Sequence, residues 1–103
     1  MNAHTSYPWT VDGTTAAKNL DVIGEGGRVA MLDCDDIDAD TLEANARLIA
    51  AAPDLLEALF LALPYVESVL DDPEQLACFK AGTVQRDVKA IRSAILKATG
   101  EAL

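Results

Sequence analysis

The sequence predicts an α+β protein: a short N-terminal β-hairpin or three-stranded sheet, followed by a mainly helical C-terminal part of three to four helices. Half of its 103 residues are hydrophobic but only 5% are aromatic, a composition typical of packed helices. Glycine-separated β-prone runs precede residue 35, and apolar residues recur at helical spacing after residue 41. A chain of this length predicts one small domain, 1–103, with an arm (1–19), a hairpin (20–34) and helices (41–100).

Prolines and glycines define the N-terminal elements. Pro8 favours extended geometry at Tyr7, and we expect one short extended piece around Trp9–Val11 in the arm. Two β-prone runs, Leu20–Ile23 and Arg28–Cys34, flank a glycine-rich connection, which is a hairpin signal. Because a lone hairpin is marginal in water, the Trp9 segment is the obvious candidate for a third strand.

Capping signals locate the first helix. Asp40 and Glu43 fit a capping box, which predicts a helix that starts at Thr41 and runs to about Ala52. Pro53 has no N–H and suits the first position of a new helix. The sequence therefore predicts a joint between two helices at Pro53, with a sharp kink in a single helix as the alternative.

The second helix, 53–70, is apolar over more than half of its circumference. We therefore expect it to be the central, most buried helix, bent at Pro64 because that residue removes one backbone hydrogen bond. Asp72 and Pro73 then give the start signal of a short helix to about Lys80.

A last helix is expected after Gly82, and Gly100 supplies its stop. Apolar residues recur along it at spacings of four, three and four, like the seam of a two-stranded coiled coil. This stripe can cover the second helix within the monomer or pair with a copy of itself in a homo-oligomer. Its members, the self-association candidates, are Val84, Val88, Ile91 and Ile95.

The charge is strongly acidic and unevenly distributed. The net charge is -9, and residues 33–80 hold twelve acidic residues against two basic ones. Such a block repels phosphate backbones, so we expect no direct nucleic-acid binding and instead a partner with a basic surface. No apolar run is expected to reach the length of a bilayer span, and the first ten residues lack the basic region and apolar core of an export signal, so we expect a soluble cytoplasmic protein. Cys34 and Cys78 are expected to be reduced, buried thiols.

Catalytic and metal motifs do not emerge from the sequence. From Asp36 the spacing begins like an EF-hand loop, but Thr41 replaces the turn glycine and Arg47 the bidentate glutamate, so we expect no metal. No nucleophile has an evident base, which predicts a protein that is not an enzyme and holds no cofactor. The acidic loop is then either a solvated helix cap or a docking surface. As partner-binding candidates we take Trp9, Asp33, Asp35, Asp36 and Asp38.

The segment "EANARLIAAAPDLLEAL" resembles a motif of small accessory proteins encoded by tailed phages and bacterial prophages. In those proteins a PGPW-like opening and a short β-rich region precede the motif. Here the opening is "YPWTVDG" and the β region "DVIGEGGRVAMLD", so the resemblance spans residues 7–60. It implies a small accessory gene product that acts in the cytoplasm of a bacterial host.

The lead hypothesis is thus a non-catalytic, protein-binding accessory factor that inhibits a bacterial defence system. Its acidic residues around 33–40 and Trp9 would meet a basic surface of a host protein complex, in a salt-sensitive association that weakens when Asp35, Asp36 and Asp38 become Asn. One alternative is a homo-oligomer that sequesters a nucleotide signal, with Arg28, Arg47 and Arg92 as the binding candidates. Another is a structural or regulatory helical module without a ligand.

Overall fold

The computed structural model describes residues 4–14, 19–33 and 37–100, and it confirms the α+β class. Three strands come first, β1 (Thr10–Thr14), β2 (Asn19–Gly24) and β3 (Gly27–Asp33). Three helices follow, α1 (Ala39–Leu70), α2 (Pro73–Leu76) and α3 (Thr83–Thr99). The chain divides into two compact units, Met1–Asp54 and Leu55–Leu103, which we name the sheet unit and the helical unit. That the chain folds as one domain stays a prediction.

The three strands form one antiparallel sheet in the order β1-β2-β3. The predicted hairpin is confirmed: β2 and β3 are joined by Glu25 and Gly26, and Gly26 has a φ of +90° that a side chain would strain. The predicted third strand is confirmed as well, although it begins at Thr10, one residue after Trp9. A register shift between Val22 and Ile23 interrupts the β2–β3 ladder.

Residues 4–9 of the predicted arm lie against the hairpin at Gly24. A Cβ atom at this position would lie 2.8 Å from the Thr5 methyl group and 3.0 Å from Trp9 Cδ1. The Glu25 backbone N–H also donates to the Ser6 carbonyl oxygen at 3.2 Å. Glycine is therefore needed here for space, because the Thr5 and Trp9 side chains of the arm lie directly over the backbone of the hairpin at this position.

Gly24→Ala should detach the arm. The added methyl group overlaps Thr5, Trp9 and Val29, and overpacking of this kind costs about 1–3 kcal/mol. We expect the fluorescence of Trp9, the only tryptophan, to shift to longer wavelength as its indole becomes more exposed. Thr5→Ser removes the nearest methyl group, so the double variant should recover part of the loss. An unchanged spectrum for Gly24→Ala would contradict the close approach.

The core of the sheet unit joins the sheet to the first half of α1. Leu42 and Ala46, one helical turn apart, are fully buried and cluster with Leu20 and the half-buried Leu32. Val22 on the central strand is also fully buried. Full burial of a leucine or valine side chain stabilises by about 1.5–3 kcal/mol, so these few residues fix α1 on the sheet.

The predicted joint at Pro53 is wrong, because α1 is one helix of 32 residues that continues through both Pro53 and Pro64. A proline inside a helix costs about 3 kcal/mol of stability, and this cost is the reason that Pro53 predicts the end of a helix. Here apolar contacts before and after Pro53 offset it: Leu42 is buried in the sheet unit and Leu63 in the helical unit. Pro53 is itself buried.

The helical unit has its own core, formed by Leu63 of α1 and by Val84, Val88 and Ile95 of α3. The short α2 begins at Pro73 as predicted, and Asp72 accepts hydrogen bonds from the backbone N–H groups of Glu74 and Gln75. It ends at Leu76 rather than near Lys80. The stop of α3 is confirmed: Gly100 has a φ of +73° and its N–H donates to the Leu96 carbonyl oxygen at 2.7 Å.

The second half of α1 is not the most buried helix, contrary to the prediction. Of its large apolar side chains only Leu63 is buried, at 8% exposure, whereas Leu61 and Tyr65 are 66% and 78% exposed. The reason is the small number of neighbouring helices. In the described part of the helical unit, α3 is the only other helix of more than four residues, and one helix covers only one stripe of its neighbour.

By length and apolar composition α1 could cross a membrane, so the expectation that no segment reaches that length is wrong. A core helix of a globular unit meets the same criterion of length and composition.

Candidate protein-binding surface

The acidic loop supplies the cap of α1. Asp38 Oδ1 accepts a hydrogen bond from the Thr41 backbone N–H at 2.9 Å, and Asp38 Oδ2 accepts one from the Thr41 hydroxyl at 3.0 Å. The helix therefore starts at Ala39 with Asp38 as its N-cap, and the prediction of Asp40 as cap and Thr41 as first residue is wrong. Asp33, at the end of β3, is exposed, while Asp35 and Asp36 lie outside the described residues.

The cap should make stability depend on acid pH. Hydrogen bonds from the Thr41 backbone and side chain lower the pKa of Asp38, so the folded state favours its ionised form. The resulting stabilisation is complete above the unfolded-state pKa of about 3.9 and is lost as the pH falls through the lower folded-state pKa. In urea unfolding, the free energies of unfolding of wild type and Asp38→Asn should therefore converge below about pH 4.

The matched control for this titration is Asp40→Asn, on the same helical turn. Among the described residues the Asp40 side chain accepts no hydrogen bond at the helix start. The assignment of Asp38 as the titrating cap would be contradicted if the difference in free energy of unfolding between wild type and Asp38→Asn stayed constant through the acid range. An equal effect of Asp40→Asn on this free energy would contradict it as well.

Trp9 is only partly exposed and interacts within its own segment. Its indole N–H donates to the Thr5 carbonyl oxygen at 3.0 Å, and the His4 ring stands edge-on to it with ring centroids 5.9 Å apart. These contacts orient the indole beside Gly24. Its role as a binding residue stays a prediction.

The three arginines proposed for nucleotide binding each have a carboxylate partner. Arg28 Nε lies 3.5 Å from Asp21 Oδ1. The other two pairs are Arg47 with Glu43, one turn apart on α1, and Arg92 of α3 with Glu67 of α1. A nucleotide phosphate would have to compete with these carboxylates, and nucleotide sequestration stays a prediction.

The stripe on α3 serves the interior of the helical unit. Val84, Val88 and Ile95 are between 0% and 6% exposed, and the half-buried Ile91 packs against them. Of the two alternatives for this stripe, the structure shows the intramolecular one. Self-association through these residues stays a prediction, as does a homo-oligomer.

Exposed apolar side chains of the helical unit form the surface that stands out in the structure. Leu61 and Tyr65 are one turn apart on α1, and Phe79, which follows α2, is 52% exposed. We name these three residues the aromatic face. Tyr65 and Phe79 line a groove of about 300 Å³ together with Val66, Val69 and Val84. Exposed apolar surface of this kind, with aromatic residues, is typical of protein-binding sites.

The groove has one charged lining residue, Asp87 of α3, which pairs with the neighbouring Arg86 at 3.1 Å. That pair is solvent-exposed, with half or more of each side chain accessible, so it contributes little to stability. The combination of aromatic side chains and a carboxylate suits an apolar segment that carries Lys or Arg, since a cation can contact both the ring faces and Asp87.

The sequence contains a signal for the aromatic face, although the same signal also predicts a buried helix. A helix that is apolar over more than half of its surface needs several neighbours to cover it. Only two helices are predicted after it, one of them short, so the count of predicted elements leaves part of that surface uncovered.

The remaining chemistry of the described residues is sparse. Among residues 4–14, 19–33 and 37–100 no group of three or more His, Cys, Asp and Glu side chains is placed to hold a metal ion. Cys78, expected to be buried, is exposed, and its thiol lies 3.5 Å from the Glu74 carbonyl oxygen. The reason is its place in the turn after α2, outside the helical core. Cys34 lies outside the described residues.

Fold and surface together define a small α+β protein with an exposed aromatic face. A protein-family model described as Salmonella phage P22 protein Y8K6 matches residues 1–102 of the chain. The chain belongs to this family of phage proteins, in agreement with the predicted phage origin. The motif resemblance itself stays a prediction. Neither the comparison with curated proteins nor that with solved structures gave a significant match.

Proposed function

We propose that this phage accessory protein acts without catalysis, by binding a host protein through the aromatic face, and that the binding inhibits a bacterial defence system. The exposure of Leu61, Tyr65 and Phe79 carries the proposal, because large side chains at 52% exposure or more lose apolar contact with water when a partner covers them. Membership in a phage protein family supports a role in the cytoplasm of an infected bacterium.

Charge indicates the kind of partner. The chain has a net charge of -9, and Asp87 stands in the groove beside the aromatic side chains. A partner with a basic surface would be attracted over a distance of about a Debye length, near 8–10 Å in physiological salt, before its apolar residues reach the groove. The acidic residues 33–40 then act on the association rate and the aromatic face on the lifetime of the complex.

The test is affinity purification of the tagged protein from the bacterial host, followed by a binding titration with the protein that co-purifies. Tyr65→Ala combined with Phe79→Ala should weaken this binding by roughly 30-fold or more, the loss typical of aromatic hot spots. Leu48→Ala, which removes an equally exposed side chain from α1 in the sheet unit, is the control and should bind like wild type.

Two further readouts separate the parts of the proposal. Changing Asp35, Asp36 and Asp38 to Asn should reduce the association rate and the salt dependence while the dissociation rate stays unchanged. A phage that is restricted by the targeted defence should form more plaques on cells that express wild type than on cells that express the aromatic variant. Equal binding by the aromatic variant would refute the surface, and equal plating would refute the inhibition.

A further inference from the structure

A second groove lies on another side of α3, and the proposed function does not use it. It has a volume of about 470 Å³ and its apolar lining is formed by Leu70 at the end of α1 and by Val88 and Leu96 of α3. Sites for small molecules typically enclose roughly 300–1,000 Å³, with mostly apolar walls and a few polar groups. Gln85 and Ser93 are the uncharged polar residues here.

The charge of this groove is opposite to that of the aromatic groove. Both of its charged lining residues are cations, Lys89 and Arg92. Arg92 is neutralised by Glu67, whereas Lys89 has no ion-pair partner among the described residues. One uncompensated ammonium group beside an apolar wall calls for a ligand with one anionic group and an apolar body.

We propose that this groove binds a single-chain amphiphile with a carboxylate head group, the chemistry of a free fatty acid. The alkyl chain would lie along Leu70 and Leu96, over the buried Val88, and the carboxylate would accept hydrogen bonds from the Lys89 ammonium. A second copy of the chain is a poorer occupant, because a two-fold contact centred on this groove would bring Lys89 against its own counterpart. A nucleotide fits less well, since no lining residue offers an aromatic ring for stacking.

The experiment is calorimetric titration of the full chain with decanoate below its micelle concentration. Saturable one-to-one binding is expected, and octanoate should bind about tenfold more weakly because two fewer methylene groups are buried. Decanol, which lacks the anionic group, should bind at least about tenfold more weakly than decanoate. Absence of saturable decanoate binding, or equal binding of decanol, overturns the proposal.

Variants locate the site. Lys89→Gln should weaken decanoate binding about tenfold, whereas Lys97→Gln, an exposed lysine on the same helix outside the groove, should leave it unchanged. Equal weakening by both variants would indicate a general charge effect and overturn the site. Sedimentation with phosphatidylglycerol vesicles distinguishes the free amphiphile from a membrane surface: pelleting of the protein without decanoate binding overturns the proposal in favour of the membrane.

Discussion

Ile95→Ala should lower the free energy of unfolding by about 2–5 kcal/mol, the range for truncation of a fully buried isoleucine in a core. Ile95 is 0% exposed in the core of the helical unit and contacts residues of that unit on both α1 and α3. Because small domains are stable by about 5–15 kcal/mol in total, the variant should lose a large share of its stability. Urea unfolding followed by circular dichroism measures the loss.

Leu96→Ala is the matched control for this variant. Leu96 is the next residue of α3, its side chain has the same number of carbon atoms, and it is 43% exposed, so its truncation should cost less than about 1 kcal/mol. Trp9 fluorescence, which reports on the sheet unit, tests the prediction of a single domain. A single domain requires the fluorescence and circular dichroism transitions of Ile95→Ala to coincide, whereas an unshifted Trp9 transition would show that the units unfold separately.

Pro64→Ala should stabilise the protein, by about 1–3 kcal/mol. Pro64 lies inside α1, is exposed, and cannot donate a hydrogen bond to the carbonyl group of Phe60 one turn earlier. Alanine restores this donor and removes no buried contact. The larger conformational freedom of the unfolded chain subtracts about 0.4–1 kcal/mol from the gain. The midpoint of thermal unfolding should rise accordingly.

Pro73→Ala tests whether the stabilisation expected for Pro64→Ala depends on the position of the proline inside a helix. Pro73 occupies the first position of α2, where the missing N–H is unpaired in any case and the fixed φ suits the helix. Its replacement should therefore be neutral or slightly destabilising. A loss of stability in Pro64→Ala, or an equal gain in both variants, would contradict the assignment of the cost to the helix interior.

Elements that depend on local signals were predictable from the sequence. The glycine-rich hairpin, the Asp72 cap and the Gly100 stop each need only neighbouring residues, and the structure confirms all three. The cap of α1 was misplaced by two residues because several aspartates precede the helix. Asp38 serves because Thr41, three residues later, offers it both a backbone N–H and a hydroxyl group.

Features that depend on packing could not be predicted from neighbouring residues alone. A local rule ends a helix at Pro53, but α1 continues because its two halves bury apolar residues in different cores. The aromatic face was missed for a related reason. Whether Leu61 and Tyr65 are covered depends on how many helices surround α1, and no stretch of sequence near them encodes that number.

The exposed thiol of Cys78 affects every measurement of association by this protein. It is adjacent in sequence to Phe79, so a fluorophore attached to it reports directly on occupancy of the aromatic groove. The same accessibility lets two copies couple through air oxidation, and a covalent dimer formed in this way would imitate self-association on a sizing column. Native-mass measurements therefore require a reductant or a Cys78→Ser variant.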